Sequence, residues 1–271
     1  MTDLVIVVGP VSASQLGAVA WQRPTKVVSL SSGPERQDLD GVSRTIGPVA
    51  FRALWNQYGS VEAVAEANGI PSSELGAVGL VAFSAGWAFA EAALNTGRVD
   101  GALLLDACFT DEPHFSTLVK SGYRSFAARA ARSDRLLVMT GGPGGRYHTG
   151  AACVWANVQG IDGTWSTWSP PTPVAPTQAM ETGTLFVAEY GANVSHGGHV
   201  TTLGRSLANE LLAPYLAGGP RTSSPPVGVL LAGIGGAVLA GIATFTLLRL
   251  SVHVFCPQRD NPSRAPRRAC A

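Results

Sequence analysis

Ten residues, Gly79-Leu80-Val81-Ala82-Phe83-Ser84-Ala85-Gly86-Trp87-Ala88, limit the fold of this chain more than any others. An apolar run with β-branched members leads into a serine, small residues flank it, and a stretch rich in Ala and Leu follows. The pattern predicts a strand, a tight turn bearing Ser84, and a helix beginning near Trp87. A turn this sharp brings its backbone close to the residue two before the serine, so Ala82 must be small. Gly86 is needed where the helix packs back on the strand. The Ser84 hydroxyl is then exposed at the sheet edge, over the positive end of a helix dipole. The pattern is A-x-S-x-G, one methyl group away from the more usual G-x-S-x-G.

The rest of the chain alternates strand and helix around that turn. Leu4 to Val8 is a continuous β-branched run ended by Gly9-Pro10, which suits a strand buried on both faces of a parallel sheet. Met1-Thr2-Asp3 carries an acid where a secretory signal wants basic residues, so this run reads as a strand and not as a leader. Ser14 to Trp21 is predicted as a short helix, Lys26 to Leu30 as a second strand, and Glu35 to Thr45 as a loop. One helix is predicted over Val49 to Asn68, stopped by Gly69 and Pro71. Val78 to Phe83 is the third strand, Trp87 to Leu94 a helix, and Ala102 to Leu105 a fourth strand ending at Asp106. Phe115 to Arg132 is predicted helical, Arg135 to Met139 a fifth strand, and Thr184 to Ala188 a sixth. A loop with His196 and His199 then leads into a last helix from about Thr201 to Leu216. Such alternation implies an α/β fold, a mostly parallel sheet with helices on both faces. Ligands of such sheets bind beyond the carboxyl ends of the strands, which is where Ser84, Asp106 and the histidine loop fall.

Composition narrows the partners. The chain has 271 residues, 46% hydrophobic and 14% charged, with a formal net charge of +1. That suits one α/β domain with a large core plus something extra, and it argues against a nucleic-acid partner. Cys108 and Cys153 lie in apolar contexts, and Cys256 and Cys270 lie in the tail. Their spacing suggests neither a disulfide framework nor a zinc site, so buried thiols, no metal and no cofactor are expected.

These residues together resemble a compact member of the α/β-hydrolase fold over about residues 3–217. The resemblance rests on Ala82-Phe83-Ser84-Ala85-Gly86, on its place after the third strand, on the order Ser, Asp, His, and on a histidine loop before the last helix. It implies a Ser-His-Asp triad. Ser84 is the nucleophile, activated by a histidine that a carboxylate orients. His199, beside Gly197-Gly198 at the start of the last helix, is preferred as the base, with His196 the alternative and the other of the two a solvent-facing loop residue. Many members of this fold carry the acid after the fifth strand seen here, but Gly141 to His148 holds no carboxylate. Some relatives use the preceding strand, where Asp106 stands, and Asp162 is the next candidate. The backbone N–H of Ala85 and that of Val11, after Pro10, would form the oxyanion hole.

Two other stretches stay structural or open. Gly141 to Gly145 lacks the Lys-Ser/Thr pair of a phosphate cradle and reads as a rim loop. Asp162 to Gly183, with Trp165 and Trp168, is either a flap presenting aromatic surface or a long connection pinned by its tryptophans.

Beyond the domain, residues 218–226 read as a Gly/Pro/Ser linker, 227–250 as a transmembrane helix and 251–271 as a basic tail. Val227 to Leu248 carries no charge and is long enough to cross a hydrocarbon core of about 30 Å. Gly233, Ala237 and Gly241, and likewise Ala232, Gly236 and Ala240, would let such helices pair into a homo-oligomer. The tail arginines favour a cytoplasmic tail, whereas the lack of a signal favours a cytosolic domain and a translocated tail; the second, tail-anchored arrangement is the expectation. The function expected from all this is a membrane-anchored serine hydrolase acting on small ester or acyl substrates. The alternative is a catalytically silent hydrolase-fold module that binds or supports structure at a membrane.

Overall fold

The computed structural model of the protein describes residues 1–30, 43–109, 119–143 and 150–218. Its strands are β1 (Thr2–Val8), β2 (Thr25–Leu30), β3 (Leu75–Phe83), β4 (Gly101–Leu105), β5 (Leu136–Gly141), β6 (Ser166–Thr167), β7 (Gln178–Thr182) and β8 (Leu185–Glu189). They form one sheet in the order β2-β1-β3-β4-β5-β8-β7-β6. From β2 to β8 every neighbouring pair is parallel, and β7 and β6 add an antiparallel edge. The parallel strands are the apolar runs anticipated from the sequence. Those at the centre have nearly every side chain buried, because helices cover both faces.

Side chains alternate between two cores at the strand period of two. Leu4, Ile6 and Val8 face one, and Val5 and Val7 face the other. The first core also holds residues of α1 (Ser43–Tyr58), α2 (Val61–Ala67), α3 (Trp87–Asn95), α4 (Ser121–Ala131) and α5 (Gly150–Val158). The second is covered by a helical run at the chain's C-terminal side, α-wound over Arg205–Leu207 (α6) and Ala213–Leu216 (α7) and π-wound over His199–Gly204 and Ala208–Leu212. Leu203, Leu207 and Leu212 from that run are fully buried in the second core.

Several elements differ from expectation. The first predicted helix is a single 3-10 turn over Ala13–Leu16, since Gly17 takes φ 72° and breaks it. The helix predicted as one piece over Val49 to Asn68 is two. Gly59, at φ 75°, ends α1, and the Ser60 side chain then accepts the Ala63 N–H at 3.1 Å to cap α2. The helix predicted from Phe115 begins at Ser121 within the described residues. Helix α5 and the short β6–β7 hairpin went unanticipated. The hairpin lies inside the Asp162 to Gly183 stretch, whose Trp168 is buried against Phe186, with ring centroids 5.0 Å apart. That stretch is therefore a connection pinned by a tryptophan.

The thiol expectation is also corrected. Cys108 and Cys153 form a disulfide across 45 residues, both sulfurs deep in the core. It ties the segment after β4 to α5. Asn157, one turn further along α5, donates to Cys153 O at 2.8 Å and accepts the Lys120 N–H at 2.8 Å, so α5 also holds the start of α4. The linker, the predicted transmembrane helix and the basic tail lie outside the described residues, apart from Gly218. No helix of the described residues is long and apolar enough to cross a membrane.

Candidate active site at the carboxyl rim of the sheet

Ser84 sits where the sequence motif puts it, on a tight 3-10 turn (Ser84–Gly86) between β3 and α3. Its backbone is left-handed, at φ 51°. A non-glycine residue rarely holds that conformation unless its surroundings impose it. The surroundings are Gly9 and Gly86. A Cβ on Gly9 would lie 2.3 Å from Phe83 O, and one on Gly86 would lie 2.3 Å from Val8 O. The end of β1 and the Ser84 turn are thus in contact through two residues without side chains. The Gly86 contact explains the second small residue of the motif, although the close neighbour is β1 and not the helix's own strand.

Asp106 occupies the matching place on the next strand. Phe83 pairs with Leu105, so Ser84 and Asp106 follow directly from paired residues. Asp106 also has left-handed backbone, at φ 46°, and its side chain is 1% exposed. Burying a carboxylate is costly unless its oxygens are engaged. Here Oδ1 accepts the Gly142 N–H at 3.1 Å, and Oδ2 lies 2.7 Å from His196 Nδ1. The Asp106 backbone N–H donates to Thr140 O at 3.0 Å and Thr140 Oγ1 at 3.2 Å. These contacts fix the direction in which the carboxylate points.

The two histidines separate cleanly. His196, expected as the solvent-facing loop residue of the pair, is bonded to Asp106 and keeps its side chain 42% exposed at the rim. Its ring lies tilted on Phe83, centroids 4.5 Å apart, and meets the edge of Phe109 at 5.7 Å. His199, expected in the base position, is completely buried. Its Nδ1 lies 2.9 Å from Thr140 Oγ1, its Nε2 lies 4.0 Å from Asp106 Oδ2, and its ring is edge-on to Tyr190. The three-residue step between them turns one side chain to the rim and the other into the core. Asp162 lies in the exposed connection between α5 and β6 and makes no bond to either histidine among the described residues.

The two expected oxyanion donors lie on the two segments that meet at Gly9 and Gly86. Ala85 is the second residue of the turn that opens into α3, where backbone N–H groups have no partner within the helix. Val11 is buried just beyond Pro10.

Thr140, Gly142, Phe109 and Tyr190 were not anticipated. A polar residue closing an otherwise apolar strand was the available signal for Thr140. Tyr190 has its hydroxyl 3.1 Å from Thr172 Oγ1; burial raises its pKa above the ordinary tyrosine value, while that hydrogen bond acts to lower it. Tyr123 donates its hydroxyl to Ala107 O at 2.8 Å, one residue after Asp106. Burial, and secondarily the Glu91 charge, push its pKa well above the tyrosine range, so it stays a donor there. Among the described residues no group of His, Cys, Asp and Glu is arranged to hold a metal ion. No family model matches this chain, and no curated protein matches it either.

Proposed function

We propose that this domain is a serine hydrolase of the α/β-hydrolase type that cleaves carboxylic esters by acyl transfer to Ser84. The observation that carries the reading is the 2.7 Å pair between Asp106 Oδ2 and His196 Nδ1, set beside the strained serine turn by the strand register. The order of parts supports the same fold, with serine after the third strand, acid after the fourth and histidine after the last parallel strand.

His196 replaces His199 as the base in this reading. With Nδ1–H directed at Asp106, the basic Nε2 is left for the serine hydroxyl, which is the tautomer that acyl transfer needs. Ser84 Oγ attacks the ester carbonyl as His196 takes its proton. Asp106 stabilises the imidazolium that results, and the carbonyl oxygen gathers negative charge. The Ala85 and Val11 N–H groups would receive that charge. His196 then returns the proton to the leaving alcohol. Water repeats the sequence in reverse and releases the acid.

The domain is anchored to a membrane through residues 227–250 in this proposal. The buried disulfide alters the expected orientation, because such bonds persist in oxidising compartments and are rare in the cytosol. Arg249, Arg259, Arg264, Arg267 and Arg268 after the apolar segment favour a cytoplasmic tail. Both features support a domain on the oxidising side.

The direct test is labelling with a fluorophosphonate, which reacts only with an activated serine, together with hydrolysis of short p-nitrophenyl esters. The wild-type chain is expected to label at Ser84 and to turn over, and Ser84→Ala to do neither. A wild-type protein that does neither leaves the silent binding module as the better reading.

A further inference from the structure

The acyl transfer proposed above leaves one buried titratable side chain of the site without a part. His199 is 0% exposed, yet it touches two groups that position the acid. Its Nδ1 lies 2.9 Å from Thr140 Oγ1, and that same oxygen accepts the Asp106 backbone N–H at 3.2 Å. A hydroxyl has one proton to give. Thr140 is fully buried, and among the described residues its Oγ1 meets the Asp106 N–H, a donor, and His199 Nδ1, so the acceptor open to that proton is Nδ1. The hydrogen-bond network therefore places the proton of neutral His199 on Nε2, the nitrogen 4.0 Å from Asp106 Oδ2.

That distance is too long for a hydrogen bond, so Nε2–H acts on the carboxylate through space, as a dipole. His199, Thr140 and Asp106 are all buried, and dipoles are felt more strongly there than in water. Gly142 closes the arrangement. Its N–H holds Asp106 Oδ1, and a Cβ at that position would lie 3.1 Å from His199 Nε2 and 3.6 Å from Asp106 Oδ2. The carboxylate is thus held on one oxygen by Gly142, while the other faces His196 in front and His199 behind.

We infer that His199 is a positioning residue for the acyl-transfer chemistry: through Thr140 and its own Nε2–H it fixes the Asp106 carboxylate with Oδ2 aimed at His196 Nδ1. The inference rests on reading Ser84, His196 and Asp106 as the hydrolytic triad. Among the described residues, the titratable groups facing this cluster are Asp106, His196 and Tyr190. Without His199 the carboxylate is free to turn Oδ2 away from His196 Nδ1, which loosens its hold on the protonated form of His196.

The test uses the full-length chain in detergent with histidine labelled at Cε1, so that the His196 titration is followed by NMR alongside the pH profile of kcat/KM. His199→Gln keeps an N–H donor near the Nε2 position, and His199→Leu fills the space without one. In His199→Leu the His196 midpoint is expected to fall by about half a unit, and a rise overturns the inference. The acid limb of kcat/KM should follow it, and kcat should fall about tenfold at unchanged KM. His199→Gln should stay near wild type in all three. Equal His196 midpoints in wild type and both variants overturn the inference. So does a loss of turnover that only tracks the fraction of folded protein. If neither variant folds, Thr140→Val removes the hydroxyl at nearly constant volume; it should lower the midpoint in the same direction, and an unmoved midpoint again overturns the inference. A wild-type chain that neither labels nor turns over overturns the triad reading alone, because the titration is read without turnover.

Discussion

Ser84 and Asp106 stand side by side at the carboxyl ends of adjacent parallel strands, and both hold left-handed backbone, at φ 51° and φ 46°. Among the described residues Ser133 is the other non-glycine residue with positive φ. Neighbouring strands run about 5 Å apart, so the two strained residues lie next to each other on the rim. Such strain costs about 1–3 kcal/mol at each position and persists only where the surrounding structure over-determines it. It also suggests a measurement. Ser84→Gly relieves the left-handed strain, offset in part by the greater chain entropy of glycine, whereas Ser84→Ala retains a Cβ and the strain with it. The glycine variant is expected to melt about 2–4 °C above the alanine variant, with both inactive. Equal midpoints would mean that the turn is not strained.

The pairing of His196 with Asp106 sets the order of damage among the site variants. His196→Ala should lower kcat as severely as Ser84→Ala, because the nucleophile and its base act as a unit. Asp106→Asn retains the shape of the side chain but favours the wrong imidazole tautomer, so a loss of about 10⁴ in kcat is expected with the fold intact. Pre-steady-state burst kinetics on a p-nitrophenyl ester would resolve the acylation step. A near-silent His196→Ala alongside an inactive His199→Ala would return the base role to His199.

The disulfide makes a separate claim about the same site. Closing a loop of 45 residues is worth about 4 kcal/mol on a chain-entropy estimate. The Cys108→Ala/Cys153→Ala variant should therefore unfold at clearly lower urea concentration than wild type. Phe109, next to Cys108, meets the His196 ring edge-on. Activity should consequently fall in the double variant even under conditions where it stays folded. Unchanged urea midpoints would mean that the bond does not form in the purified protein.

What could be read in advance follows from where the physics is local. Buried parallel strands are short apolar runs with abrupt ends, so β1, β3, β4 and β5 stood out, and the residue at each carboxyl end could be named. The places of Ser84 and Asp106 at the carboxyl ends of β3 and β4 were legible for that reason. The histidine assignment turned on something no run of residues displays. His196 and His199 are three apart in one loop, and only the path of that loop decides which of them reaches the rim. Cys108 and Cys153 pair because β4 and α5 bring their Cα atoms to 5.5 Å, a tertiary fact invisible in their spacing. The break between α1 and α2 was legible in principle, since Gly59-Ser60 is a stop followed by a cap. The apolar periodicity running across it concealed the signal.

The last expected outcome concerns residues 219–271 and is argued from composition. Val227 to Leu248 would span about 33 Å as a helix at about 1.5 Å per residue, slightly more than a hydrocarbon core. Each central Leu, Ile, Val or Phe favours insertion by about 0.3–0.6 kcal/mol, and no central charge opposes the sum. The full-length chain should pellet with membranes and resist carbonate extraction. A chain ending at Gly218 should be soluble and as active as the parent, because every residue of the proposed site precedes the cut. Pro225-Pro226 should stop the helix from running back towards the domain. Sidedness follows from the disulfide and the arginines together. In sealed vesicles or cells, protease added from the oxidising side should digest the domain and leave a small fragment carrying the basic tail. Protection of the domain from that side would restore the tail-anchored, cytosolic arrangement. Full-length protein that stays in the supernatant without detergent would rule out the anchor itself.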